Sequence, residues 1–312
     1  MSQAIQYTQL GGPEVLTLVE VPFPEPAPGT VTVRVEAAGV NPIDWKLRSG
    51  LRATPPFEGP RGTGSDGAGT IAAVGEGVDG FRVGDAVAFC NAAGAYATDV
   101  VVSAAHVFPR PAGVSAAAAA ALGVPAGTAY QVVRSLAITT DDVVLVHAGS
   151  GSVGQFVIQF ARLFGARVIA TASDRRAGTV TALGATHVTY GAGLTQRVRA
   201  LGIEVTAVID CAGTHEAIET SLAVVADRSR IVTIVRGKEA DSWGIRAFMG
   251  GSPHPMTAQQ LAWRIEAMPV SLALMATGTL TVEIGESYPL ERAADAQAAS
   301  QAGRDGKLII TP

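Results

Sequence analysis

Cysteine is nearly absent from this 312-residue chain: Cys90 and Cys211 are the only two. That excludes a disulfide framework and any four-cysteine zinc lobe. Charge is sparse and almost balanced, at 16% charged residues and a formal net charge of −4, which argues against a general binder of nucleic acid or anionic membrane. No apolar run approaches the ~20 residues of a membrane span. The opening MSQAIQYTQL has neither a basic-then-apolar leader nor an arginine-rich amphipathic presequence. A soluble protein in a reducing, cytoplasmic setting is expected, with no membrane and no nucleic-acid partner. The five histidines have no spaced cysteine or carboxylate partners, so no metal site is expected among them.

What is present is apolar and glycine-rich: 48% hydrophobic residues and 36 glycines. The length predicts two domains. Residues 143–164, VVLVHAGSGSVGQFVIQFARLF, hold the strongest signal. An apolar run at 143–146 reads as a strand buried on both faces of a parallel sheet. Gly149, Gly151 and Gly154 follow in G-x-G-x-x-G spacing. The first allows a tight turn, the second lets backbone approach a pyrophosphate, and the third permits close helix–strand packing. Val153, Phe156, Val157, Phe160 and Phe164 then recur at helical spacing, and Gly165 ends the helix. The N–H groups at that helix start would face the phosphates of a dinucleotide.

Texture divides the rest. The first ~110 residues alternate short β patterns (31–35, 70–74, 83–89, 99–102) with Gly/Pro turns, as in a small β-barrel. Ser115 opens a region of helices alternating with apolar strands at 143–146, 167–171, 187–189, 205–210, 230–235 and 245–248. That alternation predicts a doubly wound parallel sheet of six strands. A helix over 257–277 and strands at 280–284 and 307–311 return to the first texture. We therefore expect residues 1–115 and 255–312 to form one domain, interrupted by a dinucleotide-binding domain at 116–254, with the active cleft between them. The free edge at 245–249 predicts a homodimer.

Several segments together carry a family resemblance: GVNPIDWKLRSG (39–50), GSDGAGTIAAVGEGV (64–78), FRVGDAVAF (81–89), PAGTAYQVV (125–133), HAGSGSVG (147–154) and GKLIITP (306–312). They resemble the zinc-independent, zeta-crystallin-like quinone oxidoreductases of the medium-chain dehydrogenase/reductase superfamily. The resemblance implies an α/β protein with a GroES-like β-barrel catalytic domain and an inserted Rossmann sheet of six parallel strands. Zinc enzymes of that superfamily place a cysteine near 39–44 and Gly-His-Glu near 64. Here those stretches read GVNPID and Gly64-Ser65-Asp66. Without a Lewis acid, alcohol oxidation is disfavoured, and a quinone or α,β-unsaturated carbonyl is the implied hydride acceptor.

Nineteen residues beyond Gly154 stands Ser173, where NAD-binding sheets carry a carboxylate for the ribose 2′-hydroxyl. Ser173, Arg175 and Arg176 point to the 2′-phosphate of NADPH rather than to NADH. Asp174 would serve an NAD ribose if the strand end were shifted, and Tyr190 stands one residue closer to Gly184 than in the resembling enzymes. The resemblance further implies cofactor contacts from Thr128, Ser150, Ser152, Val153 and Arg304. It places Asn41 and Asp44 on the substrate side. Asn41 would donate to a developing oxyanion. Asp44, taken as partly exposed with a pKa of ~4, would orient a neighbour. Trp45 and Phe57 read as quinone-stacking or core residues, and His147 as a satisfied buried imidazole. Enoyl-thioester reductases of the superfamily carry a tyrosine proton donor just after the Gly50 position, where this chain has Leu51, Arg52 and Ala53. A biosynthetic enoyl reductase and a catalytically weak NADPH-binding sensor or scaffold remain the alternatives.

Overall fold

The computed structural model describes residues 1–248 and 252–312. The chain divides into two compact units: 1–124 with 268–312, and 125–267. Both boundaries differ from the expected 115/116 and 254/255, for reasons visible in two helices. The alanine helix Ala116–Ala120, capped by Ser115 Oγ on the Ala118 N–H at 3.2 Å, packs on the first unit, where Gly39 lies against the Ala120 carbonyl. The long helix Ala258–Ala276 starts in the second unit, where Glu266 accepts from Tyr130 at 2.8 Å. The division falls beside Pro269, which lacks the N–H that would continue the helical ladder.

The first unit is built on the ten-residue strand Thr30–Gly39. It pairs antiparallel with Asp66–Val74 along its length, with Asp99–Ser103 at its start and with Lys307–Thr311 at its end. Two register shifts against Asp66–Val74 bend it, as barrel closure needs. Val31, Val33, Ile71, Val87, Phe89 and Ile310 point into its core. The alternating apolar pattern therefore does form a small β-barrel-like unit. The strand expected at 280–284 lies instead at Ile284–Pro289, because its parallel pairing with Lys307–Thr311 begins at Ile284. Likewise the 83–89 pattern yields only Ala86–Phe89, since Gly84 adopts φ +94° in the preceding turn.

The second unit holds six parallel strands in the order Thr186–Thr189, Arg167–Ala172, Val143–His147, Ala207–Asp210, Ile231–Thr233, Arg246–Ala247. Every residue of Val143–His147 is buried, which explains its unbroken apolar run. The order reverses beside this central strand, the switch point at which such sheets open a ligand crevice at their carboxyl ends. The edge strand is shorter than the 245–248 pattern suggested, and the residue 249 end of that edge lies outside the described residues. Among the described residues no helix is long and apolar enough to cross a membrane.

Candidate active site

At the carboxyl end of Val143–His147 the chain turns through Ala148, whose φ of +55° is rare for a residue with a Cβ. Thr171 of the neighbouring strand holds the turn: its hydroxyl accepts from Ala148 N–H at 3.1 Å and its carbonyl accepts from Gly149 N–H at 2.8 Å. A Cβ on Gly149 would sit 2.7 Å from the Ala170 methyl, and one on Gly154 would run into the Ala148 carbonyl and lie 2.8 Å from the Gly149 Cα. Both glycines are required by close approach. Helix Ser152–Leu163 then starts from Gly151 with no side-chain cap, so the amides of Ser152, Val153 and Gly154 face outward from its first turn. A glycine turn leading into an uncapped helix start is the arrangement expected to receive a diphosphate.

The next strand ends at Ala172, so Ser173 is the first residue beyond it, with Asp174–Arg176 forming a single 3₁₀ turn. The strand end is not shifted, and the carboxylate of Asp174 takes a hydrogen bond from the Thr189 hydroxyl. Arg176 Nη2 reaches the Ser150 carbonyl at 3.4 Å, joining this turn to the glycine cradle. Tyr190, 57% exposed, follows the third strand. Ala172 pairs with Thr189 in parallel register, which brings Tyr190 beside Ser173. Ser150 and Arg176, joined by that hydrogen bond, lie at the same carboxyl end of the sheet as Tyr190. Thr128, on helix Gly123–Ser135, receives a 2.9 Å hydrogen bond from Arg264. Arg304 lies in the other unit, in the exposed turn before the last strand.

His147 departs from the satisfied imidazole expected of it. Ser221 donates its hydroxyl to the Ala217 carbonyl at 2.6 Å, so at 3.1 Å it receives a proton from His147 Nε2. His147 Nδ1 has no partner among the described residues. Burial lowers its pKa to about 4, against the opposing charge of Asp210, and the ring is neutral at pH 7. Cys90 is buried and Cys211 half-buried.

The first unit holds the other predicted residues, in a sealed polar cluster. Asn41 caps helix Pro42–Arg48 and is fully buried. Its amide nitrogen donates to Asp66 at 2.8 Å, and its carbonyl oxygen accepts from the Lys307 ammonium. The oxyanion-donor role expected of Asn41 is therefore replaced by a pinning role. Asp66 also takes the Val124 N–H at 2.7 Å, an approach possible because Gly123 has no side chain to strike that carboxylate. Asp44 is not partly exposed: it is 4% exposed, accepting from the Asn41 N–H at 2.8 Å and the Tyr96 hydroxyl at 2.7 Å. Burial, outweighing those hydrogen bonds, raises its pKa to about 6. Burial lowers Lys307 to about 8, and burial followed by the Asp44 charge pushes Tyr96 well above its ordinary value. Phe57 meets Tyr7 of the strand Ser2–Tyr7 edge-on at 5.7 Å and lies under the Arg61 guanidinium at 4.3 Å, so it packs within the first unit. Trp45 is half-buried beneath Lys46.

The alcohol dehydrogenase GroES-like domain family matches residues 27–112, and the zinc-binding dehydrogenase family matches 152–252. A quinone oxidoreductase of Pseudomonas aeruginosa is 31% identical over 100% of both chains. The solved quinone oxidoreductase of Pseudomonas syringae is 32% identical with a TM-score of 0.85, covering 100% of each chain. That of Escherichia coli, solved with NADPH, is 27% identical with a TM-score of 0.83 over 99% of this chain and 100% of its own.

This chain belongs to the quinone oxidoreductase family of the medium-chain dehydrogenase/reductase superfamily.

It is a quinone oxidoreductase-like enzyme with a GroES-like domain and a six-stranded Rossmann sheet. Lys307, Asp66, Tyr96 and Arg264 escaped the sequence reading of its site. Lys307 stood inside a quoted family segment, yet no local spacing ties it to Asn41, 266 residues away.

Proposed function

We propose that this enzyme is an NADPH-dependent reductase that delivers hydride to a quinone or an α,β-unsaturated carbonyl without a metal. The observation that carries the cofactor assignment is the sheet edge: Ser173 stands where an NAD enzyme has its carboxylate, Arg176 flanks the glycine cradle, and Asp174 is bonded to Thr189. The geometry suits a 2′-phosphate, which a free carboxylate there would repel. When bound, NADPH supplies the hydride, and a solvent proton completes the two-electron reduction. Ser152, Val153 and Gly154 would hold its diphosphate by their N–H groups, and Thr128 is the residue the resemblance assigns to the nicotinamide.

The donor set at the superfamily's metal position does not fit zinc. Asn41 and Ser65 stand in place of thiolate and imidazole, and the Asn41 oxygen already receives the Lys307 cation. Among the described residues no group of three or more His, Cys, Asp or Glu side chains could hold a metal ion. Asn41 and Asp44 act in this reading as positioning residues of the first unit. Pairing of the edge strand Arg246–Ala247 about a two-fold axis would give a homodimer, which a monomeric sedimentation coefficient would refute.

Stopped-flow loss of NADPH absorbance against a panel of quinones and enones tests the reaction, with chelator in one arm. Turnover of ~1 s⁻¹ or more, undiminished by chelator, is expected. Tight NADPH binding with no turnover on any acceptor would make the protein a nucleotide-binding sensor instead.

A further inference from the structure

The turn that carries Tyr190 is tied down far more firmly than its burial demands. Tyr190 is exposed and buries little surface. Gly191 and Gly193, at φ +100° and +83°, flank a segment that would otherwise sample many conformations. Yet Arg197, in the last turn of helix Leu194–Ala200, commits its guanidinium to this segment's backbone. Its Nε donates to the Thr189 carbonyl at 2.9 Å, Nη1 to Ala192 at 2.8 Å and Nη2 to Gly191 at 2.7 Å. A planar fork can satisfy three convergent carbonyls; a lysine ammonium has no such geometry. From the other side, Glu216 in the first turn of helix His215–Val224 accepts the Gly191 N–H at 2.7 Å. The Thr189 hydroxyl is bonded to Asp174. Amide, carbonyls and side chain are thus held by three separate elements around one exposed aromatic residue.

We propose that Arg197, assisted by Glu216, is a positioning residue that presents Tyr190 to the 2′-phosphate end of NADPH and so sets the preference for NADPH over NADH. This rests on the cofactor reading above. Three of the five Arg197 N–H groups are bound to the turn, so it acts through Tyr190 rather than as a ligand. The register that brings Tyr190 beside Ser173 puts the held residue next to the predicted phosphate contacts. A purely structural clamp would lower stability while leaving the choice between nucleotides unchanged.

The test is nucleotide-fluorescence titration with NADPH and NADH, together with steady-state kinetics, on R197M, R197K, E216A, Y190A and R197M/Y190A. Arg197→Met is expected to raise Kd and KM for NADPH about tenfold, with NADH affinity and kcat changed less than about twofold. R197K recovers only part of the loss, and E216A shows a smaller loss in the same direction. The double variant binds no worse than Y190A, because the arginine works through the tyrosine. An unchanged NADPH:NADH ratio in R197M, or losses that multiply in the double variant, would overturn the proposal. If R197M does not fold by circular dichroism, R197K and E216A decide on the same ratio. A wild-type protein that binds no NADPH refutes the cofactor reading itself, whereas wild-type binding with unaffected variants refutes only the role of Arg197.

Discussion

Two polar regions of this protein solve opposite problems. The glycine turn and its neighbouring turns present backbone N–H groups and the exposed Arg175 outward at the carboxyl end of the sheet. The cluster around Asn41 turns two carboxyls, an ammonium and a phenol inward and closes over them. Backbone geometry makes the first region, so excluding a side chain matters there more than supplying one. Side-chain pairing makes the second, where each ionisable group is tolerable only because its neighbours offset its desolvation. The first ends in a helix start with no side-chain cap, where backbone N–H groups face outward. The second is already full.

The sharpest break of that contrast is Lys307→Met, which leaves Asp44 and Asp66 buried without their cation. We expect it to cost about 3–5 kcal/mol in urea unfolding, as removal of one partner from a buried ion pair does. A cost below about 1 kcal/mol would show the cluster to be wetter than its burial indicates.

Gly154→Val probes the other region. Its branched side chain would collide with the Ala148 carbonyl and the Gly149 Cα, both backbone. NADPH affinity should fall about 100-fold or more, roughly 3 kcal/mol, while the unfolding midpoint of the β-barrel unit stays put. Retained affinity would refute the cradle.

The pH dependence of stability should separate the regions next. The Asp44 pKa is raised to about 6, so the folded state holds a proton that the unfolded chain has released. Its contribution is full below about pH 4 and is lost as pH rises through 6, by at most about 3 kcal/mol. Lys307, lowered to about 8, works the other way at the alkaline end: its contribution is present above about pH 10.5 and is lost as pH falls through 8. Unfolding of wild type against Asp44→Asn from pH 4 to 7 isolates the acid limb, and parallel curves would sink the assignment.

The smallest effect is expected at the exposed edge. Ser173→Asp should lower NADPH affinity about tenfold and improve NADH binding several-fold, read by titration with both nucleotides. An unchanged preference would move the 2′-phosphate contact away from Ser173.

The legibility of these regions differed in the same way. The cradle was readable because its requirements are local: a strand, three glycines and a helix lie within 22 consecutive residues. Ser173 and Arg176 followed by counting, since a parallel sheet repeats its turns at regular intervals. Asn41 and Asp44 were found by resemblance, but the exposure and pKa of Asp44 and the partners of Asn41 were missed, because exposure is not a local property. Tyr96 lies 52 residues from Asp44, and Lys307 lies 266 from Asn41. No periodicity connects them. Arg197 is only eight residues from Thr189, yet an arginine in a helix's last turn looks like any solvated charge until its three carbonyl partners are placed.

Composition, strand–helix alternation and glycine spacing by themselves determined the two-unit plan, the parallel sheet and the strand–glycine-turn–helix unit at its centre, because each depends on neighbours in the chain. Only the tertiary structure decided where the units divide, which carboxyls are sealed and what holds Tyr190 in place. Burial and long-range hydrogen bonding set those, and both exist only once strands distant in sequence have paired.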